Sequence, residues 1–290
     1  MTAAAVAGLL LALSACAPAA RLDARWPRAD GERTVAGPSS DALWPLTGKP
    51  ALDDSAAASP AVMLAVSDTP AAASLPGLDS ADVVFEITVG TSDVIAAVFH
   101  SSLPAAAGPL RDPTGPDATL AAAYRAKLVG RGQAGKALAD VAALAAAPAT
   151  GGAPPSVVAF ASKPTGASIG SASQIDIPLA GGSTAEWRYD AGSGGYQRFV
   201  DAKPALAAGG RVIRTTNVIV MWVPPAAWPG AVMAGSGRAS VFCGAGKYVG
   251  SWETSGGPPV FRDRDGAPIA LLPGSTWIEV IGTATNIVLR

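Results

Sequence analysis

The chain has 290 residues, 49% apolar and 15% charged, with 33 glycines, 25 prolines and a formal net charge of −1. No basic run is longer than two residues, which excludes the clustered Lys and Arg that phosphate binding draws on, and with it nucleic acid as a partner. Abundant Gly and Pro argue for short strands and many turns rather than a helical bundle, and alanine inflates the apolar share, so the core is smaller than the percentage suggests.

Residues 3–13 form an apolar run of about eleven residues, short of the roughly 20 that span a bilayer but of signal-peptide length. The phrase Leu13-Ser14-Ala15-Cys16 closes it and resembles the lipobox of bacterial lipoproteins: Leu at −3, small residues at −2 and −1, then cysteine. That resemblance implies removal of residues 1–15 as a leader, acylation of Cys16 and attachment to the membrane through its lipid; several acyl chains anchor stably where one is marginal. The n-region, Met1-Thr2-Ala3, departs from the pattern in having no Lys or Arg. From Cys16 to residue 42 the chain is polar, punctuated by Pro and Gly and aperiodic, which reads as a flexible tether.

Order begins at residue 43. Residues 61–66, 82–89 and 93–99 are short, β-branched and bounded by turn residues, which predicts three strands. In 82–89, Val83, Phe85, Ile87 and Val89 share one face and Asp82, Val84, Glu86 and Thr88 the other, so Glu86 is expected away from the main core, on a solvated face or in a polar cleft. Alanine-rich stretches at 117–129 and 133–147 predict two helices, the first with a stripe of Leu120, Tyr124 and Leu128. After the breaker at 150–156 a strand is expected at 157–161. From about 172 onward every apolar segment is short: strands are predicted at 174–179, 185–190, 196–200, 216–223, 239–243, 247–253, 259–262, 268–271, 276–282 and 286–289.

Several motifs carry less chemistry than their spelling. Gly166-Ala167-Ser168-Ile169-Gly170 matches G-x-S-x-G, but neither a preceding strand running straight into the serine nor a following helix is predicted, so it reads as a loop. His100, the single histidine, ends a strand and has no Cys or carboxylate at ligand spacing; no metal site and no cofactor are expected. Asp263-Arg264-Asp265-Gly266 reads as a hairpin turn rather than a calcium loop, and Gly235-Ser236-Gly237, expected between strands with no helix following, is no dinucleotide fingerprint. Cys243, in an apolar run, reads as a small buried hydrophobe. Among the tryptophans beyond residue 180, Trp222 is expected in the core. Core packing or a domain contact is the first reading for the others too, with Trp277, which shares a face with Glu279, the better candidate for exposure and for stacking on a ligand.

The phrases "PLTGKP" (45–50), "GLDSADVVFEITV" (77–89), "AAVFHSSLPAAAGPLR" (96–111), "EWRYDAGSGGYQRF" (186–199), "TTNVIVMWV" (215–223), "GSGRASVFCGAGKYVGSW" (235–252) and "PGSTWIEV" (273–280) together resemble the YerB-like lipoprotein family, which pairs an N-terminal DUF3048 domain with a C-terminal one. The resemblance spans about residues 43–282. It departs in the first half: "GTSDVIA" lacks the family's Thr-Arg-Phe phrase, and Gly108-Pro109-Leu110-Arg111-Asp112-Pro113-Thr114 keeps one of two arginines. Glu86 and Arg111 are the matching charged positions left, so a polar pocket in that half would have lost most of its charged lining.

The expected fold is therefore α+β: a mixed α/β part over residues 43–175 and a β-rich part over 176–290. The expected function is that of a membrane-anchored extracytoplasmic lipoprotein, more an envelope binding or accessory protein than an enzyme, whose partner is a cell-wall component or another exported protein. The alternative is an envelope hydrolase or transferase. It would use Glu86 as acid or base and Arg111 to grip an anionic group, and needs both in one cleft.

Overall fold

The computed structural model describes residues 41–67, 74–89, 92–146, 151–156, 158–166, 168–224 and 234–290. The leader, Cys16 and the tether up to residue 40 lie outside them. A one-turn helix, α1 (Asp54–Ala57), capped by the Asp53 carboxylate on the Ala56 N–H, precedes β1 (Val62–Val66). The hairpin β2 (Val83–Val89) and β3 (Ser92–Phe99) follows, then α2 (Gly115–Ala123), β4 (Lys127–Val129), α3 (Arg131–Ala134) and α4 (Val141–Ala146). The chain then builds β5 (Gln174–Pro178), β6 (Thr184–Asp190), β7 (Gly195–Val200), β8 (Lys203–Pro204) and β9 (Arg214–Thr215). It returns through β10 (Asn217–Val223), β11 (Ala234–Cys243), β12 (Gly246–Ser255), β13 (Val260–Asp263) and β14 (Thr276–Gly282), and closes on β15 (Val288–Leu289).

These strands make two sheets. Nine strands run in the order β13-β12-β11-β10-β14-β2-β3-β1-β4, so strands from both halves of the chain share one sheet. Its pairs are antiparallel except β10 with β14, β14 with β2, and β1 with β4. The second sheet, β15-β5-β6-β7-β8 with β9 beside β7, is antiparallel throughout. The fold is α+β and mostly strand, as the sequence predicts.

Both faces of the large sheet are covered. Met63, Phe85, Val98, Ile219 and Ile278 pack on one side with Leu46, Leu120 and Tyr124. Leu64, Val84, Ile95, Val220 and Trp277 pack on the other against Ile175, Ile177, Trp187 and Tyr196 of the small sheet. Every residue of β1 and β10 is buried, the signature of strands with no solvent face. Trp222 is buried in β10, as expected, and Gly237 shows how tightly the far strands pack. The Trp252 indole crosses it to donate to the Trp222 carbonyl at 3.0 Å, and a Cβ at position 237 would lie 2.5 Å from that same oxygen.

The helices are shorter than predicted. The first ends at Ala123: Arg125 turns with φ +52°, and Lys127–Val129, expected as helix, pairs as β4 with the edge of β1. The second stretch breaks at Gly135 (φ +63°), and Ala139 bridges Ala107 instead. In both places an open backbone edge offers a ladder that outweighs the helical preference of Ala and Leu. Residues 268–271 form isolated bridges rather than a strand, as does Phe160, which pairs with Leu271. Gly235-Ser236-Gly237 lies inside β11 rather than between strands.

The β7–β8 hairpin carries a test of local strain. Val200 and Lys203 are partners, so Asp201 and Ala202 form the whole turn, with φ of +48° and +63°. Alanine disfavours that region because its Cβ crowds the backbone. Ala202→Gly is expected to raise stability by about 0.5–1 kcal/mol, read as a higher melting temperature; an unchanged or lower one would show the turn to be unstrained.

Candidate functional site

Glu86 and Trp277 do come together, but not at a surface. In the register of the large sheet Glu86 of β2 is the partner of Glu279 of β14, with Trp277 two residues before Glu279 on the same face. In the small sheet Trp187 of β6 is the partner of Arg198 of β7. One cross-strand pair from each sheet thus meets the other between them. Arg198 forks onto Glu86, Nη2 to Oε1 at 2.5 Å and Nε to Oε2 at 3.3 Å, and the Trp277 indole N–H donates to Glu86 Oε2 at 2.9 Å. The Trp187 indole N–H donates to Glu279 Oε1 at 2.6 Å. The two indoles pack at 5.0 Å between ring centroids, and the Arg198 guanidinium lies 5.3 Å from the Trp277 ring.

None of these side chains is open to solvent: Glu86, Glu279 and Trp187 are 0% exposed, Arg198 and Trp277 1%. Two expectations are corrected by this. Trp277 is not the exposed tryptophan, and Glu86 lies neither on a solvated face nor in an open cleft. The cause is the same for both: the small sheet lies against the face of the large one that period-two alternation marks as polar.

Arg111 is placed elsewhere. Its guanidinium meets the Asp117 carboxylate twice, at 2.6 and 2.8 Å, and donates to the Val66 and Ile95 carbonyls at 3.0 Å each, tying β1 and β3 to the start of α2. Asp117 also accepts from the Thr114 N–H at 2.6 Å and the Thr114 hydroxyl at 2.8 Å, closing the helix N-terminus. Glu86 and Arg111 therefore serve separate ion pairs, Glu86 with Arg198 and Arg111 with Asp117.

The remaining titratable groups are structural in their surroundings. The Asp82 carboxylate takes the His100 N–H at 2.6 Å, the Ser101 N–H at 2.7 Å and the Ser101 hydroxyl, closing the end of the β2–β3 hairpin; burial raises its pKa. Burial lowers that of His100, whose Nε2 donates to the Ser59 carbonyl at 2.8 Å while Trp44 packs edge-on at 4.8 Å. The buried Cys243 thiol is pushed up to about 12 by burial, which keeps it protonated at neutral pH. Ser168 is exposed in a loop and spends its hydroxyl on the Gly170 and Lys247 carbonyls. Asp263 accepts the Asp265 and Ala267 N–H groups and so closes a turn. Among the described residues no three His, Cys, Asp or Glu side chains gather where they could hold a metal ion, and no helix is long and apolar enough to cross a membrane.

Two open concavities are lined in part by polar and charged side chains. One, of about 450 Å³, lies on the outer face of the small sheet between Gln174, Asp176, Thr184, Glu186, Arg188 and Arg290. Within it Arg188 meets Glu186 at 2.6 Å, Arg290 meets Asp176 at 2.9 Å and the Ala202 N–H closes on Glu186 at 2.6 Å, and the Asp201 carboxylate also lines it. Another, of about 510 Å³, lies beside the β11–β12 hairpin between Ser236, Glu253, Thr254 and Val260.

Sequence reasoning missed Arg198, Trp187 and the pairing of Glu279. Alternation in β7 does place Arg198 on the same side as Tyr196, an arginine on an apolar face, which is a detectable anomaly. Nothing local says which carboxylate, more than a hundred residues away, receives it.

Two family models match the chain: residues 46–169 match the N-terminal domain of DUF3048, a protein of unknown function, and residues 175–278 match the C-terminal domain. No curated protein matches it. Among solved structures, the crystal structure of the YerB protein from Bacillus subtilis is similar over 85% of this chain and 99% of that one, with a TM-score of 0.70 and 17% sequence identity, a likeness of fold.

Proposed function

Because the chain belongs to the DUF3048 family and carries both of its domains, we propose that it is an extracytoplasmic lipoprotein, held to the membrane by a lipid on Cys16, that acts as a binding or accessory protein of the envelope rather than as an enzyme. The observation that carries this reading is the fate of the acid and the arginine most suited to chemistry. Glu86 is closed between two sheets on Arg198 and Trp277, and Arg111 is locked on Asp117. A general acid or base must reach the proton it moves, and Glu86 is fully buried. The open groove on the small sheet, by contrast, presents carboxylates and guanidinium groups of the kind that could recognise a wall component or an exported protein.

The experiment is fractionation of cells making the wild-type chain or Cys16→Ser, with mass spectrometry of the amino terminus and chemical crosslinking in situ. The expected result is an acyl-modified Cys16 in the membrane fraction, release of the variant from it, and a reproducible crosslinked partner for the wild type. An intact, unmodified amino terminus on cytosolic material would overturn the anchoring. A wild-type chain that crosslinks to nothing and binds no wall polymer would overturn the binding role.

A further inference from the structure

The chain has one histidine, His100, and the fold closes it off. It follows the last residue of β3, is 2% exposed, and lies against two parts of an N-terminal strap, residues 42–59. The strap begins as a small hairpin in which the Ala51 N–H donates to the Ala42 carbonyl and the Trp44 N–H to the Lys49 carbonyl, each at 2.8 Å. It then passes through α1 to Ser59, just before β1. Trp44 meets the imidazole edge-on, and the Ser59 carbonyl takes the imidazole N–H at 2.8 Å. One ring thus holds the strap near both of its ends.

The two ring nitrogens have unlike surroundings. A carbonyl can only accept, so Nε2 carries the proton and Nδ1 is the bare nitrogen. Nδ1 is buried, and among the described residues no hydrogen-bond partner reaches it. An unbonded lone pair costs little there beside a protonated ring, which brings a full charge and a donor with nothing to receive it. The charged groups at this end of the large sheet are engaged elsewhere. The Asp82 carboxylate takes the His100 and Ser101 backbone N–H groups and the Ser101 hydroxyl, not the ring. Lys49 of the strap is exposed and acts on Asp82. Asp53 caps α1, and Asp54 beside it is exposed. β1 and β3 bring the apolar pair Val62 and Phe99.

We propose that His100 is an acid-operated latch: a proton on Nδ1 releases the ring from Trp44 and Ser59 and loosens the strap that joins residues 1–41 to the large sheet. With the strap closed, burial holds the imidazole below its ordinary value. With the strap open, the ring titrates near that value of about 6.5. The open state therefore binds more protons, so the latch is at full strength above about pH 6.5. Below it the hold weakens by about tenfold per pH unit, until the closed ring takes its proton too. Asp82 runs the other way: burial raises its pKa, so its contribution grows as pH falls. A comparison in which residue 100 alone changes removes that contribution.

His100→Gln keeps an N–H for the Ser59 carbonyl and cannot titrate. Full-length wild type and variant are unfolded in denaturant at a series of pH values from 8 to 5. The ratio of folding constants, wild type over variant, is expected to be level above pH 7 and to fall toward about tenfold per unit below pH 6.5, the slope for one proton. A ratio level throughout overturns the latch. Hydrogen exchange of peptides covering residues 42–59, corrected for its intrinsic pH dependence, is expected to quicken on acidification in wild type alone. A strap equally protected in both chains at pH 5.5 also overturns it. Should the variant fail to fold, nitrogen NMR of wild type decides, because one histidine gives one ring. A neutral ring with its proton on Nε2 at pH 6 supports the latch; an imidazolium, or a neutral ring protonated on Nδ1, refutes it.

Discussion

Arg198→Ala is expected to destabilise the protein by about 3–5 kcal/mol, the range for removing one partner of a buried ion pair. Arg198 crosses from the small sheet to Glu86 of the large one, and its removal takes the guanidinium away from a fully buried carboxylate. A loss of that size is a large fraction of a typical domain's stability, so chemical unfolding monitored through the buried tryptophans reads it directly. A paired variant separates charge from packing. Arg198→Met with Glu86→Gln fills the space and removes the stranded charge, so it is expected to recover much of the loss of the single variant. If the single substitution costs less than about 1 kcal/mol, Arg198 is not a clamp.

Asp117→Ala is expected to cost about 3 kcal/mol, because it strips two structures at once: the bidentate ion pair that holds Arg111, and the cap on α2. Asp117→Asn should cost less, retaining an acceptor for the Thr114 N–H while losing the charge. Arg111→Met distinguishes the structural role from the catalytic one. If Arg111 ties β1 and β3 to α2, this variant unfolds at clearly lower denaturant. If Arg111 instead waits for an anionic substrate, stability stays near wild type and binding alone is lost. Its side chain is 14% exposed, so solvent relieves part of the penalty and the loss should fall below that of Arg198→Ala.

The strands of this fold were readable because their signal is local. Short apolar, β-branched runs bounded by turn residues placed β1 to β3, β5 to β7 and β10 to β14 within a few residues, apart from the first half of β11, and Trp222 in the core followed from a strand apolar on both faces. The failures lie where an element's fate depends on a distant edge. Residues 127–129 have a helical stripe in sequence, yet the free edge of β1 captures them as β4. Likewise Glu86 sits on the polar face of its own strand, and only the small sheet, arriving from a hundred residues later, turns that face into an interior.

The same division holds for function. By itself the amino-acid sequence determined the mostly-strand α+β class and the family likeness, and the phrase ending at Cys16 carries the expectation of an anchor, because each depends on residues near one another in the chain. Tertiary structure alone decided that Glu86 and Trp277 are buried together between the sheets and that Arg111 is paired elsewhere, with Asp117. A carboxylate's role follows from the charge and solvent around it, and here those are supplied by Arg198, Trp187 and Glu279 across a sheet-to-sheet interface that no local pattern encodes.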